Sequence, residues 1–428
     1  MHLMSGDNTD PIRLRWARAC AGVAVWSLAA LVLAMPKGLL PAGILFLLST
    51  LLVPLRVGGA VRRIGWPWFL VAGMVALVLA VVATSSRLFD AEPDLRSHDR
   101  WLAMPWLMAW AWALQPSRVM LWRGALAGLL AAAVLALVQV LGGQARPGGW
   151  LNAIVFADVV LVLMVLVVFC RPPRSWQWTG LGLVVGVLAI LLSGTRGAWP
   201  GLLLLLLVLV LGSGWRNRRS RSLVLGAVVA GVVVLLSSVP ALTEQMRLVE
   251  LRQDIERMDR GDHDSSAGAR LERLQVAGSA FAENPWTGVG VGGFDRAMQR
   301  LPECRGEEGR KAQRCHYGHA HNDVAEWAAT MGLPGLLALA LLYGVPLYLF
   351  LRLRLRGGQW QGPLRGSAAA GAMMVAMFML CGLTQSMFAH QTTTSLYAAG
   401  CGLLLGMALR EAHRGRGAPA ADEGAGNG

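Results

Sequence analysis

Charge is scarce in this 428-residue chain: 15% of its residues are Asp, Glu, Lys or Arg, and 25 acidic residues face 39 basic ones. So little charge over such a length argues against two or three water-soluble domains. Cysteine is scarce as well. Of the six, Cys20, Cys170, Cys381 and Cys401 fall in or beside apolar runs, while Cys304 and Cys315 share one polar stretch. The chain lacks a small-residue cleavage site after its Arg-bearing leader, so its first apolar run is expected to be a retained helix rather than a signal peptide. No internal repeat is visible, and no Cys/His pairs stand at the usual zinc spacings.

What fills the chain is apolar: 55% of the residues are hydrophobic and the mean hydropathy is +0.50. Runs near the ~20 residues that cross ~30 Å of hydrocarbon recur at 18–36, 39–55, 66–84, 101–115, 123–142, 151–170, 177–195, 198–214, 222–240, 323–351, 366–386 and 393–410. The expected fold class is all-α: a polytopic integral membrane protein of about twelve transmembrane helices, forming a single transmembrane domain over 1–428.

Alternate loops carry most of the arginines: Arg13, Arg15 and Arg18; Arg56, Arg62 and Arg63; Arg118 and Arg123; Arg171 and Arg174; Arg216, Arg218, Arg219 and Arg221; Arg352, Arg354, Arg356 and Arg365; Arg410, Arg414 and Arg416. The short loops between them hold only Lys37, Arg87, Arg96, Arg100, Arg146 and Arg196. The positive-inside rule puts the richer set, and both termini, in the cytoplasm. The formal charge of +14 is thereby explained by topology, and nucleic acid is not an expected partner.

One long polar segment, 241–322, then faces outward. Two amphipathic helices are expected in it. The first runs over 242–259, and the second begins after Ser265-Ser266 and stops at Asn284-Pro285. Gly288, Gly290, Gly292 and Gly293 follow as a turn. The segment 411–428 is expected to be a disordered cytoplasmic tail.

Three basic residues on the outward face can carry chemistry. Arg196 lies in Ser193-Gly194-Thr195-Arg196-Gly197, a short turn between strongly apolar runs, where an arginine is costly unless it meets water, headgroups or an anion. Its plain alternative is snorkelling to headgroups. Arg270 lies in the first turn of the second loop helix, where guanidinium and helix dipole can face one phosphate; its alternative is an ordinary solvated arginine. His321 precedes the helix that starts near Asn322-Asp323. The helix N-terminus favours a neutral ring and Asp323 opposes it; the alternative is a structural histidine at a cap. Asn152, His319, Asn322, Asp323 and His390 are possible supporting residues, and Asp158 and Glu326 are carboxylates at or within the edges of spans. Cys315, His316, His319 and His321 cluster without a zinc pattern, so no metal is expected. Cys315 has a competing use in a disulfide with Cys304, which an oxidising compartment permits.

Taken in order, Ser193 through Gly197, then Ser266 through Arg270, Asn284-Pro285 and Gly288-Val289-Gly290, then His321-Asn322 with Gly332 and Gly335, resemble the O-antigen ligase family. The wider group includes O-antigen polymerases and some protein O-oligosaccharyltransferases. The likeness covers roughly 190–340 by motif and the rest by span count. Ser-Gly-Thr-Arg departs from the Ser-x-Ser-Arg form common in the group, which touches Thr195 rather than Arg196.

The resemblance implies a fold like that of C-type glycosyltransferases, in a bacterial inner membrane with the active site facing the periplasm. It implies an inverting glycosyltransferase. The donor is a glycan on undecaprenyl diphosphate, and the acceptor is a sugar hydroxyl of lipid A-core in lipopolysaccharide biosynthesis. Arg196 and Arg270 would hold the diphosphate and His321 would act as the base, with membrane lipids as surroundings and no cofactor. A polymerase or a protein O-oligosaccharyltransferase would share this donor chemistry. A lipid-linked glycan transporter would instead need ionisable residues deep in the spans, inverted repeats or broken helices, none of which is evident.

Overall fold

Asp10 starts the first helix, α1 (Pro11–Ala30): its carboxylate accepts the Ile12 N–H at 2.9 Å, and Pro11 brings a pre-set φ to the first turn. The computed structural model describes residues 10–89, 98–212, 266–301, 304, 315, 318–356 and 365–417. Among them every regular element is helical. In order come α2 (Leu40–Leu52), α3 (Pro54–Ile64), α4 (Trp66–Leu88), α5 (Ala103–Leu114), α6 (Arg118–Leu141), α7 (Ala153–Phe169), α8 (Trp176–Leu192) and α9 (Trp199–Gly212). They are followed by α10 (Ser266–Glu283), α11 (Phe294–Met298), α12 (Asp323–Arg356), α13 (Ser367–Cys381) and α14 (Gln391–Gly417). The expected span at 222–240, the loop helix at 242–259, His316 and the tail beyond 417 lie outside the described residues. The start of that tail, 411–417, is the end of α14.

The chain is an all-helical, multi-pass membrane protein. Among the described residues α4, α6, α12 and α14 are each long and apolar enough to cross a bilayer, and a fifth crossing is gained if the bent pair α2–α3 counts as one. Among the described residues this measure does not reach about twelve: α7, α8, α9 and α13 are apolar but shorter, and 222–240 lies outside those residues. The 39–55 run breaks at Pro54, where the axis turns by 91°. Pro54 has no N–H to continue the ladder, and the new segment carries Arg56, Arg62 and Arg63. The 101–115 run yields a 12-residue helix buried along most of its length. The 366–386 run stops at Cys381, because Gly382 and the polar Thr384-Gln385-Ser386 turn out of the helix.

Close backbone contact binds the helices. α5 lies against α14, and a Cβ on Gly402 or Gly406 would stand 2.3 Å from the carbonyl oxygen of Met104 or Met108. Small residues one turn apart allow this approach where lipid supplies no hydrophobic drive between helices. An aromatic nest sits beneath one end of the bundle: the Phe388 ring lies 5.0 Å from Trp101 and 5.2 Å from both Tyr343 and Tyr397, centroid to centroid.

α12 is broken near that same end. Gly332 takes φ 62° and ψ −151°, which only glycine adopts cheaply. The break exposes the carbonyls of Ala329 and Thr330, and these accept the N–H groups of Val289 and Gly290 at 2.8 and 2.9 Å. The Leu333 N–H donates to the Pro285 carbonyl at 2.7 Å. The Asn284–Gly290 turn is therefore stitched into the kink, which brings α10 onto α12. A broken helix was not evident in the sequence; here its freed carbonyls are satisfied by protein.

Cys304 and Cys315 form a disulfide with Cα atoms 5.6 Å apart. Closing so short a loop stabilises the fold by ~2–3 kcal/mol and removes Cys315 from any set of thiolate ligands.

Candidate active site

His321 owes its position to the turn after α13. Its backbone sits at φ 55°, a left-handed conformation uncommon outside glycine. Asn322 holds that turn three ways. Its side-chain oxygen caps α12 by accepting the Ala325 N–H at 2.9 Å, its side-chain amide donates to the Leu383 carbonyl at 3.0 Å, and its backbone N–H donates to Ser386 Oγ at 3.2 Å. The next N–H, on Asp323, donates to the Gly382 carbonyl at 2.7 Å. Glu326, one turn into α12, reaches back to accept the Ala320 N–H at 2.6 Å.

The ring of His321 is oriented by a residue that the sequence reading passed over. Gln385, fully buried, places Oε1 2.6 Å from His321 Nδ1. The same oxygen accepts the Ser386 N–H at 3.1 Å, which fixes the amide's orientation. An amide oxygen only accepts, so Nδ1 carries the proton and Nε2 keeps a lone pair. That is the tautomer a general base requires.

His319 and His390 complete a cluster of rings. Centroids of His319 and His321 lie 4.7 Å apart, and those of His319 and His390 5.1 Å. All three are biased towards the neutral form. Burial, and after it the Arg273 guanidinium, lowers His321 to about 4, against a smaller upward pull from Gln385. Burial and the neighbouring His321 lower His319 to about 3, and burial lowers His390. The neutral ring expected from the helix terminus is favoured here by desolvation and then by arginine. Asp323 does not oppose it. Its carboxylate turns away, accepting the Tyr343 hydroxyl at 2.8 Å and the Phe388 N–H at 3.2 Å. Asp323 thus belongs to the aromatic nest.

Arg270 and Arg196 come to the same place from separate elements. Arg270 projects from the second turn of α10, half-buried, and its guanidinium is pushed to lower affinity for its proton by burial, then by Arg273, then by Arg196; Asp158 acts against them. It also acts on His321. Arg273, at 6% exposure, stands one turn along α10 from Arg270. Arg196 follows Thr195, which is buried and donates its hydroxyl to the Ala153 carbonyl at 3.0 Å. Asn152, exposed, caps α7 beside it by accepting the Ile154 N–H at 2.9 Å, so its role is to hold the strut on which Thr195 leans. On the far side, a Cβ on Gly197 would stand 3.3 Å from Thr384 Oγ1, next to Gln385. The Arg196 turn and the His321 turn are thus neighbours.

Asp158 is fully buried on α7, with the Cys381 side chain as its hydrogen-bonding neighbour and the Arg270 guanidinium acting on it. The site thus gathers three guanidiniums, three neutral imidazoles and a buried carboxylate. In such a poorly hydrated setting an anion is held far more strongly than in water. Arg273 and Gln385 are the two residues the sequence reading missed. Arg273 shares the Arg270 face at i, i+3 spacing, and Thr384-Gln385-Ser386 is a polar interruption at the end of an apolar run.

Comparison with known proteins points the same way. Residues 181–340 match the family model described as O-antigen ligase, which takes in Arg196, Arg270, Arg273 and His321. A stretch of 184 residues is 27% identical to an uncharacterized protein of Haemophilus influenzae, covering 42% of this chain and 45% of that one. The chain thus matches less than half the length of this curated relative.

Proposed function

We propose, from the match of residues 181–340 to the O-antigen ligase family model, that the chain is an inverting glycosyltransferase that moves a glycan from undecaprenyl diphosphate to a sugar hydroxyl of lipid A-core. The observation that carries this reading is a neutral imidazole, held with Nε2 unprotonated, beside a partly desolvated group of guanidiniums. A diphosphate is a good leaving group and needs charge neutralisation rather than an acid. Arg196 and Arg270, with Arg273 behind them, supply it. His321 Nε2 takes the proton of the acceptor hydroxyl as its oxygen attacks the anomeric carbon opposite the diphosphate. The C–O bond to the diphosphate breaks and its electron pair leaves with the phosphate, so the configuration inverts.

In this reading the site faces the periplasm from the inner membrane. Both termini are cytoplasmic, as an even count of about twelve crossings requires. The support is that the turn carrying Arg196 and the turns at 318–322 and 382–391 lie at one end of the bundle, while Arg118, Glu411 and Ser367 meet at the other. The test is incubation of the purified protein with a lipid-diphosphate glycan and lipid A-core. Covalent joining of the two supports the ligase. Growth of the donor glycan alone means a polymerase, and translocation without either product means a transporter.

Two outcomes follow for the reaction. Activity should survive excess chelator, because arginines provide the positive charge a metal would otherwise supply. Loss on chelation, restored by one particular metal, would overturn this. The pH profile should also separate free from loaded enzyme. Burial, and after it the charges of Arg273 and Arg270, hold His321 down at about 4 in the free enzyme. A bound diphosphate offsets those charges and raises the ring's pKa towards the working pH. The base is lost as pH falls through its pKa, so the acid limb of kcat, which reports the complex, should lie at higher pH than that of kcat/KM. Coincident limbs would mean that the donor's phosphates do not sit against those arginines.

A further inference from the structure

A concavity lies beside the candidate active site, at the same end of the bundle. It is a cleft of about 730 Å³ between α1, α2, α5 and the start of α14, within the ~300–1,000 Å³ range of small-molecule sites. Its walls are apolar, with Leu28, Val32, Phe46 and Trp106 among them. Met35 and Leu40 line it and are 40% and 59% exposed, so the cleft is open on an apolar side. The polar groups gather at Lys37 and Arg100. The Arg100 fork is held in place by Ser395 Oγ at 2.8 Å and Gln391 Oε1 at 2.9 Å. Among the described residues no acidic side chain lines the cleft.

A greasy trough that is open on an apolar side and carries cations at its polar end fits an acyl-chained amphiphile with an anionic headgroup. Its position narrows the choice. Gln391 lines the cleft and directly follows His390, whose ring is 5.1 Å from His319, itself 4.7 Å from His321. A headgroup anchored on Lys37 and Arg100 therefore lies alongside the histidine cluster.

We propose that this cleft is the acceptor site: it takes the acyl chains of a phosphorylated glycolipid, with a headgroup phosphate on Lys37 and Arg100 and the sugars extending to His321. This rests on the transferase reading above and gives it a second lipid-binding site distinct from the diphosphate site.

Gly43 allows a clean test. It lines the cleft, and a Cβ there meets nothing within 4 Å, so Gly43→Trp fills the trough without pressing on the backbone. Lys37→Glu reverses the charge at the rim. Full-length protein in nanodiscs is titrated with a bisphosphorylated hexa-acyl glycolipid, and separately with a lipid-diphosphate glycan. Each variant should bind the glycolipid roughly tenfold or more weakly and raise its KM similarly, with binding of the lipid diphosphate unchanged. Phosphatidylglycerol should compete poorly in the wild type. Unchanged glycolipid binding in both variants would overturn the proposal, as would phosphatidylglycerol competing equally well, which would make the cleft a general bilayer-lipid site. If the wild type transfers nothing but the variants still lose glycolipid binding, the transferase reading fails and the cleft stands.

Discussion

His321→Ala should lower transfer by roughly 10²–10⁴-fold, the usual contribution of a positioned base, while changing lipid-diphosphate binding by no more than about twofold. The split follows from where the ring's bonds go. Its Nδ1–H is spent on Gln385, and Nε2 stays free for a proton that exists only on the acceptor. Neutral as it is, the ring offers no charge to the donor. Removing it takes away an interaction made chiefly in the transition state, which lowers kcat and kcat/KM together. Turnover and donor binding, measured on the same folded preparation, check this. Near-normal turnover would end the assignment of His321 as base. A matching loss of donor binding would mean that the ring holds phosphate.

The parts of this site that were legible in the sequence are those where a local pattern conflicts with its surroundings. Arg196 stands out because an arginine between two apolar runs needs an anion or water. Arg270 stands out because a cation near a helix N-terminus runs against the dipole. The Ser265-Ser266 start and Asn284-Pro285 stop likewise frame α10 at Ser266–Glu283. What escaped was set by contacts far along the chain. Gln385 meets His321 from 64 positions away, and a buried glutamine in an apolar run carries no periodic signal of its own. The glycines at 288–293 read as a turn, but nothing local reveals that the turn fills a break at Gly332. Asp323 draws attention by its closeness in sequence to His321, yet its bonds run to Tyr343 and Phe388. Span ends failed where Pro54 and Gly382 redirect the chain, since hydropathy sums over a window and records no bend.

Arg270→Lys is the substitution that looks mildest and should not be. A lysine keeps one positive charge but loses the planar fork that grips two phosphate oxygens at once. The environment compounds the loss. Burial, Arg273 and Arg196 all press on the group at this position to release its proton, with Asp158 opposing them. A guanidinium resists that pressure because its intrinsic affinity for the proton is so high, whereas an ammonium starts near 10.4 and yields readily when desolvated. The substituted amine would therefore be partly neutral at working pH, and donor binding and turnover should both fall, by about 10²-fold. The two causes separate by pH. Lowering the pH from about 9 to about 7 recharges an ammonium but changes nothing in a guanidinium, so the variant should recover relative to wild type over that interval while retaining a residual deficit from the missing fork. The measurement is donor affinity against pH for both proteins in the same nanodiscs. A variant within about twofold of wild type throughout would show that Arg270 supplies neither fork nor charge to the diphosphate, and the donor would have to be held by Arg196 and Arg273 alone.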